Sequence, residues 1–122
     1  MVVLIADDNR LLLSTFGMLL RMEGHEVMEA DSGAAALQLA RDRRPDAAVI
    51  DLHMPVVTGL DVGRYLRSIK VPFVLISAYD ESDTVEAAHA CGASEYLLKP
   101  ASSDELVAAV TRCLDGAKAR KH

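Results

Sequence analysis

The sequence predicts an α/β domain, a parallel β-sheet covered by helices on both faces. Three observations carry that expectation. Short apolar runs rich in β-branched residues alternate five times with segments whose apolar residues recur at helical spacing. No linker or low-complexity stretch interrupts the alternation, and successive strands joined through helices run parallel. The runs Val2 to Ala6, Ala47 to Ile50 and Phe73 to Ile76 are continuously apolar rather than alternating, the pattern of strands covered on both sides.

Taken in order, Val2 to Ala6 is a strand that ends in Asp7 and Asp8. Asn9 or Asp8 can cap the helix that follows, in which Leu12, Phe16, Leu19 and Leu20 recur at helical spacing. Gly24 closes it, and His25 to Glu29 alternates polar and apolar residues as a shorter strand. Ser32 caps an Ala-rich helix through Ala40, ended before Pro45. Ala47 to Ile50 is the strand around which the rest is arranged, and it stops at Asp51. Pro55 forbids its continuation, and Gly59 permits a tight turn into a helix marked by Leu60, Leu66 and Ile69. Pro72 precedes the strand Phe73 to Ile76, which ends in Ser77. Val85, Ala88 and Cys91 line a fourth helix ended by Gly92. Tyr96 to Leu98 is the last strand, ending in Lys99-Pro100. Ser102 and Glu105 form a capping-box pattern for a last helix carrying Leu106, Val110 and Cys113. Residues 116 to 122, GAKARKH, lose the apolar pattern. The expected domain is therefore residues 1–115, with 116–122 a tail or the start of a linker.

The chain has 122 residues, 51% of them hydrophobic and 25% charged, which suits one ordinary globular domain with a single proper core. A net charge of −5 argues against a general nucleic-acid surface and against anionic membranes. No apolar run approaches the ~20 residues of a membrane span, and the N-terminus has no signal-peptide pattern. Strand-like sequence follows Met1 at once, so little or nothing is expected before the domain. Cys91 and Cys113 match no metal or redox spacing and read as small core residues in helices. The expected compartment is the cytoplasm.

In a parallel α/β sheet the carboxyl ends of the strands share one edge, where ligands bind. Four strands here end in Asp7-Asp8, Asp51, Ser77 and Lys99. Strand ends are generally polar, and a lone Asp there says little. Three carboxylates on one edge, however, repel and raise one another's pKa unless a cation lies among them. Oxygen ligands without clustered His or Cys favour a hard cation, and Mg²⁺ suits a few carboxylates with water and a phosphate. A lysine and a hydroxyl opposite complete a cradle for a phosphoryl group. Positioning and charge neutralisation are most of what phosphoryl transfer asks of a protein.

Asp7-Asp8, Asp51-Leu-His-Met-Pro55 with Gly59, Ser77-Ala78, and Tyr96-Leu-Leu-Lys99-Pro100 together resemble a response-regulator receiver (CheY-like) domain. The likeness covers residues 2 to about 114. It implies a (βα)5 flavodoxin-like three-layer sandwich with strand order 2-1-3-4-5. It further implies that Asp51 is the nucleophile that accepts a phosphoryl group from a histidine kinase or phosphotransfer protein, forming an acyl phosphate. By the same resemblance Asp8 binds Mg²⁺ directly, Asp7 binds it through water, and Asp51 and the backbone carbonyl of His53 complete the protein ligands. Lys99 pairs with Asp51 and then with the phosphoryl oxygens. Ser77 moves to the phosphoryl group and Tyr96 turns inward behind it, switching a surface formed by the fourth helix, last strand and last helix. That surface is the expected site of a partner or of homodimerisation on phosphorylation. The Lys99-Pro100 bond resembles the family's cis peptide. Such a domain is no enzyme beyond its own phosphorylation and dephosphorylation, and would meet nucleic acid only through an output domain outside this chain.

His53 and Tyr79 stand at the two variable positions that flank the phosphorylation site in the family, and are expected to tune phosphoryl lifetime. Ala101 stands where Phe is frequent. His25, His89 and His122 read as bystanders, and Met54 as packing under the loop after Asp51. Ser77-Ala-Tyr-Asp80 is faintly similar to receivers of RNA-binding antiterminators. Other readings fit less well. A haloacid-dehalogenase-type phosphatase needs a second Asp where His53 stands, and a longer chain. A flavodoxin needs a Ser/Thr/Gly-rich phosphate loop where Asp7-Asp8 would repel its ligand. A phosphorylation-independent receiver-like interaction module is the serious alternative, although such modules usually lack the acceptor Asp, the Lys or one of the acidic pair.

Overall fold

Side chains that point alternately to the two faces of the sheet build the core in two halves, one on each face. The structure is a computed structural model that describes residues 1–77, 86, 90–99 and 102–120, with side chains described as far as residue 116. Its strands are β1 (Val2–Ala6), β2 (Glu26–Ala30), β3 (Ala47–Asp51), β4 (Phe73–Ser77) and β5 (Glu95–Leu98). Helices α1 (Arg10–Met22), α2 (Gly33–Asp42) and α3 (Gly59–Ser68) and a C-terminal helix (Ser103–Arg120) complete the described elements. All strand pairs are parallel, in the order β2-β1-β3-β4-β5. This is the strand order expected, with four helices among the described residues, and the C-terminal helix continues through residues 116–120, where a tail or linker is expected. The expected fourth helix falls almost wholly outside the described residues, as do Tyr79, His89, Pro100 and Ala101; Gly92, at its end, takes φ 89°.

Leu4, Ala48, Ile50, Phe73 and Leu75 point to the face covered by α2 and α3, where Ala36, Ala40, Val62 and Leu66 meet them. Their neighbours Val3, Ile5, Val49, Val74 and Ile76 point the other way, to Leu13, Phe16 and Leu20 of α1 and Leu106 and Val110 of the C-terminal helix. Each fully buried aliphatic side chain contributes about 1.5–3 kcal/mol, and period-two alternation divides that stabilisation between the faces. Cys91 lies in the first half and Cys113 in the second, so the sheet separates the two buried cysteines.

The helix starts follow their sequence signals. Asn9, not Asp8, caps α1, accepting from the Leu11 and Leu12 amides at 3.1 and 3.2 Å. Asp8 is thereby left to face the site. Ser32 caps α2 through the Ala35 amide at 3.1 Å, and Thr58 and Asp61 form a full capping box at α3. Strand β2 sits one residue later than its alternation suggests. The His25 amide is used to donate to the Leu20 carbonyl at 3.2 Å, finishing α1, and the ladder starts at the Val2–Glu26 pair.

Candidate functional site

Strand register brings the chemistry to one edge. Asp51 is the last residue of β3 and pairs with Ile76, which puts Ser77 one step beyond it at the end of β4. Ser77 in turn pairs with Leu98, so Lys99 emerges alongside. Backbone bonds extend these ladders past the strands: Leu52 donates to the Ile76 carbonyl at 2.9 Å and Lys99 to the Ser77 carbonyl at 2.7 Å. On the other side Ala6 pairs with Ile50, and Asp7 follows β1 by one residue, its amide donating to the Ala30 carbonyl at 3.1 Å.

Asp7, Asp8 and Asp51 each offer a carboxylate oxygen, all within 4.8 Å of one another. Asp7 and Asp51 are buried, 2% and 4% exposed, while Asp8 opens to solvent. The Lys99 ammonium reaches both buried acids, 3.0 Å from Asp7 and 3.5 Å from Asp51. One oxygen of Asp51 also accepts from the His53 amide at 3.2 Å, and Asp7 accepts from the Asn9 amide at 2.9 Å. One ammonium between two buried carboxylates leaves an uncompensated negative charge, even before Asp8 is counted. Burial first, and then the Asp7 charge, push the Asp51 carboxyl up to about 6, against the pull of Lys99. Burial draws the Lys99 ammonium down, but its bonds and charges to Asp7 and Asp51 outweigh this and raise it. At neutral pH the cluster is therefore short of positive charge and built of hard oxygen donors. That fits a small divalent cation with oxygen ligands.

Of the remaining expected residues, His53, Ser77 and Tyr96 are described. His53 lies exposed two residues past Asp51, and Ser77 is fully buried at the end of β4. Tyr96, on β5 opposite Leu75, packs partly buried against the α2–α3 half of the core. Met54 is buried beneath the loop, as its sequence position suggests. Tyr79 lies outside the described residues.

Gly59 belongs to the site for a reason the sequence hides. It reads as a turn glycine, yet the left-handed residue in this loop is Val56, at φ 65°. Gly59 instead packs on the acceptor strand: a Cβ there would overlap the Asp51 carbonyl oxygen and stand 2.6 Å from Leu52 Cα. Its amide donates to the Leu52 carbonyl at 3.0 Å, tying the start of α3 to the chain that leaves Asp51.

A family profile described as a response regulator receiver domain matches residues 3–111. Transcriptional regulatory protein PdtaR of Mycobacterium tuberculosis is 37% identical over 110 residues, 88% of this chain and 54% of that protein. Transcriptional regulatory protein PrrA of the same organism is 41% identical over 114 residues, 92% of this chain and 49% of that protein. The solved receiver of the putative response regulator NarL, also from M. tuberculosis, has a TM-score of 0.83 at 35% identity and covers 94% of this chain and 96% of its own. A CheY-like receiver from Methanospirillum hungatei JF-1, at 21% identity, has a TM-score of 0.92 over 98% of this chain and 97% of its own, and shares the fold. The chain spans about half the length of the curated relatives it matches. No helix among the described residues is long and apolar enough to cross a membrane.

Proposed function

Because the chain belongs to the response regulator receiver family, we propose that it is a phosphorylatable receiver whose acceptor is Asp51. The observation that carries this reading is the shared Lys99 ammonium, 3.0 Å from Asp7 and 3.5 Å from Asp51 in a pocket that Asp8 completes. The family implies a histidine kinase as partner, and a phosphotransfer protein can act as the immediate donor. Leu11, Met18 and Met22 stand exposed along α1, which starts beside Asp8, and offer a protein donor an apolar face.

Asp8 directly, Asp7 through water, the Asp51 carboxylate and the His53 carbonyl would hold Mg²⁺, which supplies positive charge to the phosphoryl oxygens and to the acids. This chain's own groups do the rest. A carboxyl held near 6 is mostly ionised at neutral pH, so an Asp51 oxygen is available to attack phosphorus. An O–P bond forms as the donor's N–P bond breaks, and the imidazole leaves with its electron pair. Lys99 exchanges Asp51 for the phosphoryl oxygens, relieving the charge added by transfer. Ser77 donates its hydroxyl to the same group. Tyr96 then turns inward, biasing a two-state surface of the fourth helix, β5 and the C-terminal helix toward a partner or a second copy. The receiver function belongs to residues 1–115, with 116–122 a tail or the start of a linker, and the compartment is cytoplasmic. The chain turns over no external substrate.

The phosphorylation-independent interaction module is the competing reading. Retention of Asp7, Asp8 and Asp51 with carboxylate oxygens within 4.8 Å of one another, and of Lys99 paired to Asp7 and Asp51, counts against it. Acetyl phosphate with Mg²⁺ separates the two. Wild type should take up one base- and hydroxylamine-labile phosphate, and Asp51→Asn none. Uptake by Asp51→Asn at wild-type level would remove Asp51 as the acceptor, and no uptake by wild type would favour the module.

A further inference from the structure

Gly33 opens α2 and is buried there, on an element that supplies none of the acidic or cationic groups. Its backbone is ordinary, since the positive-φ glycines among the described residues are Gly24 and Gly92. Alanine would favour the helix at this position, so conformational freedom gives no reason for glycine. Contact does. A Cβ on Gly33 would overlap the carbonyl oxygen of Val57 and stand 2.8 Å from both its carbonyl carbon and its Cγ1. The overlap is with backbone, and no side-chain rotation relieves it.

Val57 belongs to the loop of residues 52 to 58, which also carries the His53 carbonyl. On the Asp51 side the loop is pinned by the His53 amide on Asp51 at 3.2 Å and by Met54, 3% exposed in the core. On the other side it is pinned by Thr58, which caps α3, and by Val57 against Gly33. Between these anchors lies Val56, a β-branched residue at φ 65° with its side chain in solvent. Such a residue is costly in the left-handed region and stays there only where its flanks impose it.

We infer that Gly33 is a positioning residue for the metal-binding loop: its bare Cα seats the Val57 carbonyl, and that seat fixes the loop carrying the His53 carbonyl. The inference rests on the proposed Mg²⁺ site. It assigns to α2 a part in the acceptor site that no group on α2 performs by touching the reacting atoms.

Mg²⁺ itself is the probe, titrated into ¹⁵N-labelled wild type and Gly33→Ala and followed by amide shifts. In Gly33→Ala the amides of residues 52–54 and 56–59 should be displaced before any Mg²⁺ is added. Its Kd should rise by about tenfold or more, as happens when an outer-shell support of a metal site is lost. Acetyl phosphate uptake should slow at limiting Mg²⁺ and recover when Mg²⁺ saturates. An unchanged Kd with unchanged loop shifts, whatever the melting temperature does, would make Gly33 a packing residue and overturn the inference. If Gly33→Ala does not fold, wild type alone decides. The Gly33 and Val57 amides should respond to Mg²⁺ with the same midpoint as His53, and a Gly33 amide indifferent to Mg²⁺ overturns the coupling. A wild type without Mg²⁺ response at Asp8 and Asp51 would defeat the proposed metal site and this inference with it.

Discussion

Replacing Asp51 by Asn should stabilise the metal-free fold at neutral pH, by an amount that shrinks as the solution is acidified. The fold raises the Asp51 carboxyl from 3.8 to about 6, chiefly through burial and the Asp7 charge. A carboxyl raised in this way binds protons more readily folded than unfolded. Its penalty on stability is absent well below the unfolded value, grows between 3.8 and about 6, and is complete above that. Linkage puts the penalty at about 3 kcal/mol at pH 7.5 and about 1.6 kcal/mol at pH 5. Asn carries no charge at either pH, so the advantage of the variant should fall by about 1.4 kcal/mol over that range as an upper figure. Solvent entering beside the exposed Asp8 screens part of this, and roughly half is a fair lower figure. For a domain of this size the change corresponds to roughly 2–6 °C in Tm. The absolute advantage is smaller than the penalty, because Asn also costs Lys99 a partner at 3.5 Å. The slope is the sharper quantity. Thermal melts of both proteins in chelator, from pH 5 to 8, measure it. An advantage that stays constant, or that grows on acidification, would refute the picture of a carboxylate buried against its charge.

Mg²⁺ should raise the wild-type Tm, by about 2.7 kcal/mol of stabilisation at a hundred times Kd, and Asp8→Ala should lose most of that rise; equal rises would place the ion elsewhere. Gly59→Ala should destabilise by about 1–3 kcal/mol, as overpacking does, and slow phosphate uptake, because its Cβ would overlap the Asp51 carbonyl; unaffected melting and uptake would show that α3 yields freely. Tyr79→Ala should hasten loss of phosphate from Asp51 after the donor is removed, by easing the approach of a hydrolytic water to phosphorus, and a slower or unchanged loss would remove Tyr79 from the tuning of phosphoryl lifetime. His53→Asn, which removes an exposed ring two residues past Asp51, should alter the same rate, and an unchanged rate would remove His53 from the tuning of phosphoryl lifetime.

Much of this architecture is legible in sequence because the physics that sets it is local. The run Ala47 to Ile50 has one solution as a doubly covered strand, and all four residues are buried. Asp51 and Lys99 meet because parallel strands put their carboxyl ends on one edge, a rule of topology that needs no coordinates. What the sequence conceals lies between elements far apart in the chain. Gly59 looks like a turn residue, and only the packing of α3 on Asp51 shows that its missing Cβ matters. Gly33 has no local signal, since its partner is a backbone carbonyl in another loop. Val56 misleads in the opposite direction, a β-branched residue in the left-handed region where glycine would be expected. Strand β2 shifts by one residue because His25 is spent on closing α1, a competition between neighbours that alternation alone does not weigh.

Lys99 and a divalent cation serve the same carboxylates, and their effects on stability should therefore overlap instead of adding. In the metal-free chain Lys99 is the cation within ion-pair distance of Asp7 and Asp51 among the described residues. Removing one partner of a fully buried pair costs about 3–5 kcal/mol. Lys99 is 18% exposed by side chain, and Asp51 can take up a proton, so Lys99→Ala should cost less, roughly 1–3 kcal/mol at pH 7.5 without Mg²⁺. Saturating Mg²⁺ restores positive charge among the same oxygens, and the cost should then fall below about 1 kcal/mol. Acidification to pH 5 should reduce it too, because protonated Asp51 no longer needs the ammonium. Melting of wild type and Lys99→Ala, each with Mg²⁺ and with chelator, completes the cycle. A cost from Lys99→Ala that is the same in both buffers would mean that lysine and metal act on different charges. The pocket could not then be one site in which an ammonium holds the place that phosphoryl chemistry needs a cation to share.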